Sequence, residues 1–329
     1  MDTLPTVIAS SVIRSTHQGE SHGGVYLIDL DSGSYKQVLD WDKSDINWEG
    51  RGADRGLRGI EFYNNKVYLA VSDELFVYDK NFKLIESFRN HYLKHCHEIF
   101  RCDKVLFLTS TGFDSILMFD LEKKIFVKGF CLKFSGFNLY INKLIQRVES
   151  IFFKFDKHRI RMLPRPKPSF STFDPNSVKG PEARDTLHIN NVCVSNGEIF
   201  ISGTGLGHLL QIKGRKVLSY SKIPFGTHNA QPFKNGVLFN CTALDKLIYF
   251  NKKKKKYEEK KLLNNNLPND HARQAFGRGL CVLDKNIIIS GSSPATISVY
   301  KLGSPNPIKT INITMDIRNA IHGLEIWPY

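Results

Sequence analysis

The sequence lacks the features that mark membrane-spanning and disulfide-rich secreted proteins. None of its 329 residues belongs to a run of 18 or more apolar residues, so we expect no transmembrane helix. The N-terminal stretch MDTLPTVIASSVIR has no basic segment leading into an apolar one, so no signal peptide is predicted. The six cysteines are scattered and form no CxxC pair, which favours reduced thiols. We therefore expect a cytoplasmic protein without a membrane partner.

Acidic residues are few relative to basic ones. There are 46 Lys and Arg against 32 Asp and Glu, a formal net charge of +14, which raises the question of nucleic-acid binding. Much of the excess lies in NKKKKKYEEKKLLNNN (251–266) and KFDKHRIRMLPRPKPSF (154–170). The lysine tract alternates with acids and asparagines, as an exposed hairpin would, and carries no interleaved aromatic platform. Nucleic acid is therefore only a minor candidate as a partner.

Helical periodicity is nearly absent, apart from one short helix expected at 140–152, and a repeat takes its place. Each copy has a basic residue, an apolar strand, a polar turn, a strongly apolar strand, a Ser/Thr/Gly/Asp turn and further strands. The five copies begin at Arg58, His97, His188, His228 and Arg278. Four antiparallel strands recurring at about 40 residues are typical of a β-propeller blade.

The two ends of the chain supply a sixth blade. IHGLEIWPY (321–329) opens like the other repeats and then stops, while TVIASSV near the N-terminus begins in the middle of a repeat. The sequence thus predicts an all-β, six-bladed β-propeller, closed where the C-terminal strand joins the N-terminal blade. We expect a single domain over 1–329, with an insertion at about 132–183 between blades three and four.

The insertion has two open interpretations. Three prolines within five residues, in PRPKP, preclude a regular element there. The rest could form a lid or contact surface over one face of the propeller. It could equally be a flexible excursion.

One residue of each repeat occupies the start of the innermost strand, and we call these six positions the ring. The ring residues are Arg58, His97, His188, His228, Arg278 and His322. Innermost strands of a propeller run parallel to one another, so these positions are expected at one mouth of the central channel. In blade four the spacing to the second strand matches Asn190, and His188 lies two residues earlier on the same side of the strand.

The residue types at the ring suggest metal chemistry. Imidazole is a good ligand for iron, manganese or zinc, and His97, His188, His228 and His322 are the predicted metal ligands. Arg58 and Arg278 could hold a carboxylate, sulfate or phosphate by paired hydrogen bonds. With Glu61 and Glu98 they are the candidate catalytic residues; Glu61, Glu98, Gln231 and Glu325 could also orient the imidazoles. The competing interpretation is that these residues merely line a water-filled channel.

Other motifs are weaker. The phosphate-loop-like SGTGLG (202–207) falls at a strand-to-strand turn with no helix after it. Arg51 and Arg55 could extend an anion site or be ordinary loop charges. Cys96 is expected to be a buried structural thiol, and no serine stands in a nucleophile-elbow context. His91 and His95 belong to the loop before His97, and only His95 could approach the mouth.

The blade openings HINNVCVSNG, HNAQPFKNGVLF and GRGLCVLDKNIIISG resemble an uncharacterised, mostly bacterial propeller family with similar His-x-Asn, His-Asn and Arg-Gly-Leu openings. The likeness covers most of 50–326 outside the insertion and implies the fold, with no activity attached. The four-histidine ring also looks like carotenoid-cleaving oxygenases, where four histidines hold iron. It is similar to oligogalacturonate lyases, where three histidines and a glutamine hold manganese. Both are likenesses of site rather than of sequence.

Two functions follow as hypotheses. The first is a metal-dependent enzyme acting on a small anionic or sugar-acid-like substrate, with lyase chemistry slightly favoured over oxygenase chemistry because arginines could grip the anion. The second is a non-catalytic propeller scaffold whose basic segments contact an acidic partner. A metal-free enzyme that uses Arg and His as acid and base groups is a further possibility. The sequence does not specify the metal, the substrate or the oligomeric state.

Overall fold

The fold is a six-bladed β-propeller, as predicted. The computed structural model describes residues 3–17, 19–42, 56–155, 163–262 and 276–329. These residues form six antiparallel sheets, five of four strands and one of five. Apolar β-branched and aromatic residues dominate the inner three strands of each sheet, whereas the outermost strands are mostly exposed or half-buried. Within the described ranges no helix is both long and apolar enough to cross a membrane.

Five blades consist of strands that are consecutive in the chain, and blade one combines the last strand with the first three. Blade one contains β25 (Asn319–Ile326), β1 (Thr6–Ile13), β2 (Gly24–Asp29) and β3 (Tyr35–Asp40). Blade two contains β4 (Leu57–Tyr63), β5 (Lys66–Val71), β6 (Glu74–Asp79) and β7 (Leu84–Arg89). Blade three contains β8 (Ile99–Cys102), β9 (Val105–Ser110), β10 (Ser115–Asp120), β11 (Ile125–Lys133) and β12 (Ser169–Phe173). Blade four contains β13 (Ile189–Ser195), β14 (Glu198–Gly203), β15 (His208–Lys213) and β16 (Lys216–Lys222). Blade five contains β17 (Thr227–Phe233), β18 (Gly236–Cys241), β19 (Lys246–Asn251) and β20 (Lys256–Lys261). Blade six contains β21 (Arg278–Val282), β22 (Ile287–Ser292), β23 (Thr296–Lys301) and β24 (Pro307–Asn312).

The chain divides into two compact units. The first comprises Met1–Arg89, Asp245–Ile248 and Tyr257–Tyr329, and the second comprises Asn90–Leu244 and Tyr249–Lys256. The prediction of one single domain stays a prediction.

In the first unit, blade one is closed by the end of the chain. Strand β25 pairs antiparallel with β1, with Val7 opposite Ile326 and Ile8 opposite Glu325. The predicted closure is therefore confirmed. Buried side chains such as Trp41 and Leu69 fill the space between blades one and two, and each fully buried aliphatic side chain contributes about 1.5–3 kcal/mol.

In the second unit, the described part of the insertion is ordered against the propeller. Helix α1 (Gly136–Phe155) is longer than the predicted 140–152, and β12 adds an unpredicted fifth strand to blade three. The prolines of PRPKP lie in a segment without regular structure, as expected. Residues 156–162 lie outside the described residues. The role of the insertion as a lid or contact surface stays a prediction.

Two side chains of helix α1 attach it to blade four. The amides of Asn142 and Gln146 both donate to the carbonyl of Gly205, at 2.9 Å. The buried ion pair between Glu149 and Arg165 ties the helix to the segment that returns to blade three. Gly205 in turn donates to the carbonyl of Leu187, so the helix lies beside the start of the innermost strand of blade four.

The described part of the lysine tract, 251–262, has the predicted form, and 263–266 lie outside the described residues. Strands β19 and β20 flank an exposed turn over 252–255, which makes a hairpin. Lys252 places its ammonium 3.8 Å from the centre of the Tyr220 ring and donates to the Tyr220 carbonyl.

Candidate functional site

The ring residues precede an irregularity in their strands. In blades five and six, the pairing register shifts between His228 and Gln231 and between Arg278 and Leu280. The residues that follow the ring positions, Asn229 and Gly279, have φ angles of 52° and 72°. Asn and Gly tolerate this left-handed conformation best, and such bulges re-aim the neighbouring side chain. The left-handed backbone thus explains why Asn or Gly is the second residue of the recurring His-Asn and Arg-Gly pairs. It does not explain the His or Arg that comes first.

Asn190 occupies the ring position of blade four. Ile189 lies opposite Gly203, the last residue of β14, just as Thr227 lies opposite Cys241, the last residue of β18. Asn190 is therefore the counterpart of His228. Its side-chain amide donates to the Thr227 carbonyl at 2.9 Å, and its buried Oδ1 receives no hydrogen bond from the described residues.

His97 has a fixed ring orientation. Its Nδ1 lies 2.9 Å from the His95 carbonyl and 2.9 Å from Thr111 Oγ1. Thr111 uses its own hydroxyl proton on the Ile189 carbonyl, at 2.5 Å. Both partners therefore accept, so the proton of the neutral imidazole is on Nδ1 and the lone pair is on Nε2.

His188 is held by a carboxylate rather than a carbonyl. Its Nδ1 lies 3.0 and 3.1 Å from the two oxygens of Asp185. The ring of His188 lies edge-on to the ring of His97, with centroids 5.1 Å apart and planes at 67°. The φ angle of His188 is 47°, a left-handed conformation that turns the chain between Asp185 and strand β13. Two of the predicted metal ligands are thus in direct contact.

His228 repeats the arrangement of His97. Its Nδ1 lies 2.9 Å from Thr242 Oγ1 and 3.3 Å from the Gly226 carbonyl. Thr242 follows His228 by fourteen residues, the same interval that separates Thr111 from His97. The sequence analysis did not select these threonines, although the equal spacing was a signal that could have identified them.

Glu98 connects two blades of the second unit. Its Oε2 accepts from the side-chain amide of Asn229 at 3.0 Å, and its Oε1 accepts from the Ile99 amide at 3.2 Å. The nearby Cys193 thiol is fully buried, and burial, helped by the Glu98 charge, raises its pKa to about 12. Cys96 is buried too and lies 3.6 Å from the Glu98 carbonyl, which fits the predicted structural role.

The remaining ring residues lie in the first unit. Arg58 and His322 are buried, and the guanidinium of Arg278 lies 4.6 Å from the centre of the Phe276 ring. Ser10 Oγ donates to the Arg58 carbonyl at 2.5 Å and accepts from the Gly323 amide at 2.8 Å. This hydroxyl thereby joins the backbone of Arg58 to the backbone of Gly323, the residue after His322.

The predicted carboxylates and amide have more modest surroundings. Glu61 is half-buried on β4 and accepts from the Phe62 amide at 3.3 Å. Glu325 is half-buried, and its charge adds to the rise in the pKa of the buried Cys281 thiol, which burial dominates. Gln231 lies on β17 opposite Leu238. The orienting role of these three residues stays a prediction.

In their present positions the described side chains do not complete a metal-binding site. Among the described residues, no group of three or more His, Cys, Asp or Glu side chains could hold a metal ion. The predicted set of His97, His188, His228 and His322 stays a prediction. Arg51 and Arg55 lie outside the described residues. His91 and His95 are exposed, and His95 supplies its carbonyl to His97.

Comparisons with known proteins support the fold. No protein-family model matches the sequence, and no curated protein matches it. The chain is similar in structure to a protein of unknown function from Bacteroides caccae, with 8% identity, 98% coverage of both chains and a TM-score of 0.56. It is also similar to a chain of the nidogen/laminin complex, with 8% identity, 97% coverage of both chains and a TM-score of 0.55. A virginiamycin B lyase from Staphylococcus aureus matches with 11% identity and a TM-score of 0.47, and the match covers 90% of this chain and 80% of the lyase chain. The two likenesses with TM-scores above 0.5 support the propeller fold and leave the activity open.

Proposed function

We propose that the protein is a metal-dependent enzyme whose ligands in the second unit are His97, His188 and His228. The proposed substrate is small and anionic, such as a sugar acid, and the proposed reaction is of the lyase type. Oxygenase chemistry is the less favoured form. Iron, manganese and zinc are the candidate metals.

The observation that carries this proposal is the shared state of the three rings. Each imidazole gives its Nδ1 proton to a carbonyl, hydroxyl or carboxylate, which leaves a basic Nε2. This is how ligating histidines are usually held, because the Nδ1 partner fixes both the tautomer and the ring orientation. The arrangement recurs at the equivalent positions of blades three and five, where a threonine hydroxyl contacts Nδ1 of His97 and of His228, and this supports a shared role.

The three imidazoles are chemically suitable metal ligands, although in their present positions they do not complete a metal-binding site. Three neutral imidazoles suit any of the three metals and leave coordination positions for substrate. The rings of His97 and His188 are already in contact, which brings two of the proposed ligands close together. When bound, the metal would stabilise the negative charge that develops on a substrate carboxylate during proton removal.

Glu98 is the proposed proton acceptor. It follows His97 directly, and the Asn229 amide fixes its carboxylate. In a lyase reaction the carboxylate takes the proton next to the substrate carboxylate, the bond to the leaving group breaks, and the leaving group departs with the electron pair. Arg58 and Arg278 are proposed separately as anion-holding groups of the first unit, with Glu61 and His322 beside them in the repeat pattern.

A direct test is an assay of elimination. The protein, loaded in turn with Fe²⁺, Mn²⁺ and Zn²⁺, is incubated with a panel of uronic-acid oligosaccharides and 3-hydroxy acids, and the absorbance of the unsaturated product is followed. We expect turnover with one metal, and a loss of about 100-fold or more in kcat for Glu98→Gln. Glu86→Gln, on the outer strand of blade two, is the matched control. Turnover unaffected by Glu98→Gln would overturn the role of Glu98, and equal turnover without metal would overturn the metal.

A scaffold function is the second candidate. It is favoured by the unclosed geometry of the histidines and by an exposed apolar helix face on the insertion. A scaffold would keep its partner when the ring histidines are removed, whereas the enzyme would lose its metal.

A further inference from the structure

Helix α1 is attached to the protein through buried polar side chains. Asn142 and Glu149 are almost fully buried, and they bond Gly205 and Arg165. Gln146, one turn after Asn142, bonds Gly205 as well. A helix on the surface of a globular protein normally packs its apolar face inward. The inward side of α1 is held by these hydrogen bonds and this ion pair, together with apolar residues such as Leu139 that pack on the core, and part of the apolar surface of the helix faces outward.

The outward side of the helix is apolar. Phe137 is 75% exposed, Tyr140 65%, Leu144 45% and Ile151 50%. At 100° per residue these four side chains lie within about 60° of one another around the helix axis, and they span about 21 Å along it. Apolar surface in one continuous row, rather than scattered singly, indicates a surface that contacts something else.

The charges beside this row are positive. Lys143 and Arg147 are exposed and flank the row on one side. The only acidic residue in the helix sequence is Glu149, which is buried and paired with Arg165. The exposed side of α1 therefore combines aromatic and aliphatic residues with positive charge alone. The formal net charge of the whole chain, +14, has the same sign.

We propose that this face of helix α1 docks on an anionic lipid surface, with the helix axis parallel to the membrane. A helix with Phe, Tyr, Leu and Ile on one side and Lys and Arg at the flank lies at the boundary between headgroups and acyl chains. The positive flank is attracted to anionic headgroups, and the aromatic rings suit the interface.

Other occupants fit less well. A second copy of the chain in a symmetric face-to-face contact would bring Lys143 and Arg147 close to their own counterparts, and like charges oppose that contact. A protein partner would need a groove complementary to a convex helix, whereas a lipid surface adapts to it. The sequence-based expectation of no membrane partner rested on the absence of a membrane-spanning helix. A helix that lies on the membrane surface does not have to span it.

The test is flotation of the full-length protein with vesicles of phosphatidylcholine alone and of phosphatidylcholine mixed with phosphatidylglycerol. We expect binding to the anionic vesicles only. Phe137→Ser combined with Tyr140→Ser should lower the partition coefficient by about tenfold or more, because two exposed aromatic side chains no longer insert. Val178→Ser, at a site 96% exposed outside the helix, is the matched apolar control and should change nothing.

A second comparison separates docking from general charge attraction. Lys143→Gln with Arg147→Gln removes two charges from the helix, and Lys253→Gln with Lys254→Gln removes two from the exposed hairpin turn. The helix pair should weaken binding severalfold more than the hairpin pair. In a Tyr140→Trp variant, the emission maximum should also shift to the blue on addition of anionic vesicles.

Three results would each overturn the proposal. One is equal weakening by the two charge pairs with no spectral shift, which would indicate adventitious attraction of a basic protein. Another is loss of a solution dimer in the serine variant, measured by light scattering, with no vesicle binding by the parent protein. The third is unchanged flotation of the serine variant. The four row positions are exposed, so we expect all variants to melt like the parent.

Discussion

The rings of His97 and His188 meet edge to face at 5.1 Å, although they precede the innermost strands of two different blades. The Thr111 hydroxyl strengthens this relationship, because it accepts from His97 and donates to the carbonyl of Ile189, next to His188. Two imidazoles with basic Nε2 atoms are thereby held side by side. The predictions below test that arrangement and the parts of the fold that support it.

The carboxylate behind His188 should control metal affinity. In Asp185→Asn the amide binds the ring nitrogen less strongly and without charge, so His188 loses part of its orientation and basicity. We expect metal affinity to fall about 10- to 100-fold, measured by competition with a chromogenic chelator. The exposed Glu182→Gln is the control for removing a nearby negative charge. An Asp185→Asn protein with the affinity of the parent would contradict the ligand role of His188.

The ion pair under helix α1 should be worth far more than a surface pair. In Glu149→Gln the buried guanidinium of Arg165 loses its counter-charge, and we expect the free energy of unfolding to fall by about 3–5 kcal/mol. Glu122→Gln breaks the exposed 2.8 Å pair with Lys104 and should cost less than about 1 kcal/mol. Urea denaturation measures both. Equal losses in the two variants would mean that the helix is not held by this pair.

His208 should make stability fall in mild acid. Burial, aided by the positive charges of Arg165, Lys222 and Lys167, lowers its pKa to about 4 from 6.5. The unfolded chain therefore binds a proton that the folded chain does not between these two values. The stability that His208 contributes is present above pH 6.5 and is lost as the pH falls toward 4.

Between pH 7 and pH 5 this loss amounts to about 2 kcal/mol. We expect His208→Gln to remove that part of the pH dependence of the free energy of unfolding, measured in urea. The exposed His17→Gln should leave it in place. An identical pH dependence in parent and His208→Gln proteins would contradict the prediction.

Gly279 should be required for its backbone conformation. Its φ is 72°, and an added Cβ would meet the His322 carbonyl at 3.0 Å. Gly279→Ala should therefore lower the free energy of unfolding by about 1–2 kcal/mol. Gly136→Ala meets no atom within 4 Å and has no such φ, so it should be neutral or slightly stabilising. The comparison of the two melting curves checks whether the Arg-Gly pair is a backbone feature.

The sequence predicted the blades well because the signals are local. Turns such as Asn196-Gly197 and the apolar strands beside them recur in every repeat, so six sheets could be counted. The closing pair of β1 and β25 followed from two incomplete repeats that complement each other. Even the mismatch at Asn190 was visible in the spacing, and the strand register bears it out.

What the sequence could not predict depends on contacts across the chain. Thr111 and Thr242 resemble ordinary turn residues; their equal distance from His97 and His228 marks them in the sequence, but the contact of their hydroxyls with the imidazoles shows only in the structure. Asp185 reaches His188 only because His188 takes a left-handed φ, which a histidine seldom does. Helix α1 runs from Gly136 to Phe155, so the prediction of 140–152 missed its first turn and its last three residues.

The central claim is that the ring histidines hold a metal, and elemental analysis by plasma mass spectrometry tests it most directly. The tag-free protein is expressed in metal-replete medium beside the variants His97→Ala and His228→Ala, with His91→Ala, an exposed histidine of the preceding loop, as control. The account predicts close to one equivalent of iron, manganese or zinc in the parent and in His91→Ala, and little in the two ring variants. A parent protein without metal, together with ring variants of unchanged stability, would contradict it and leave the scaffold function in its place.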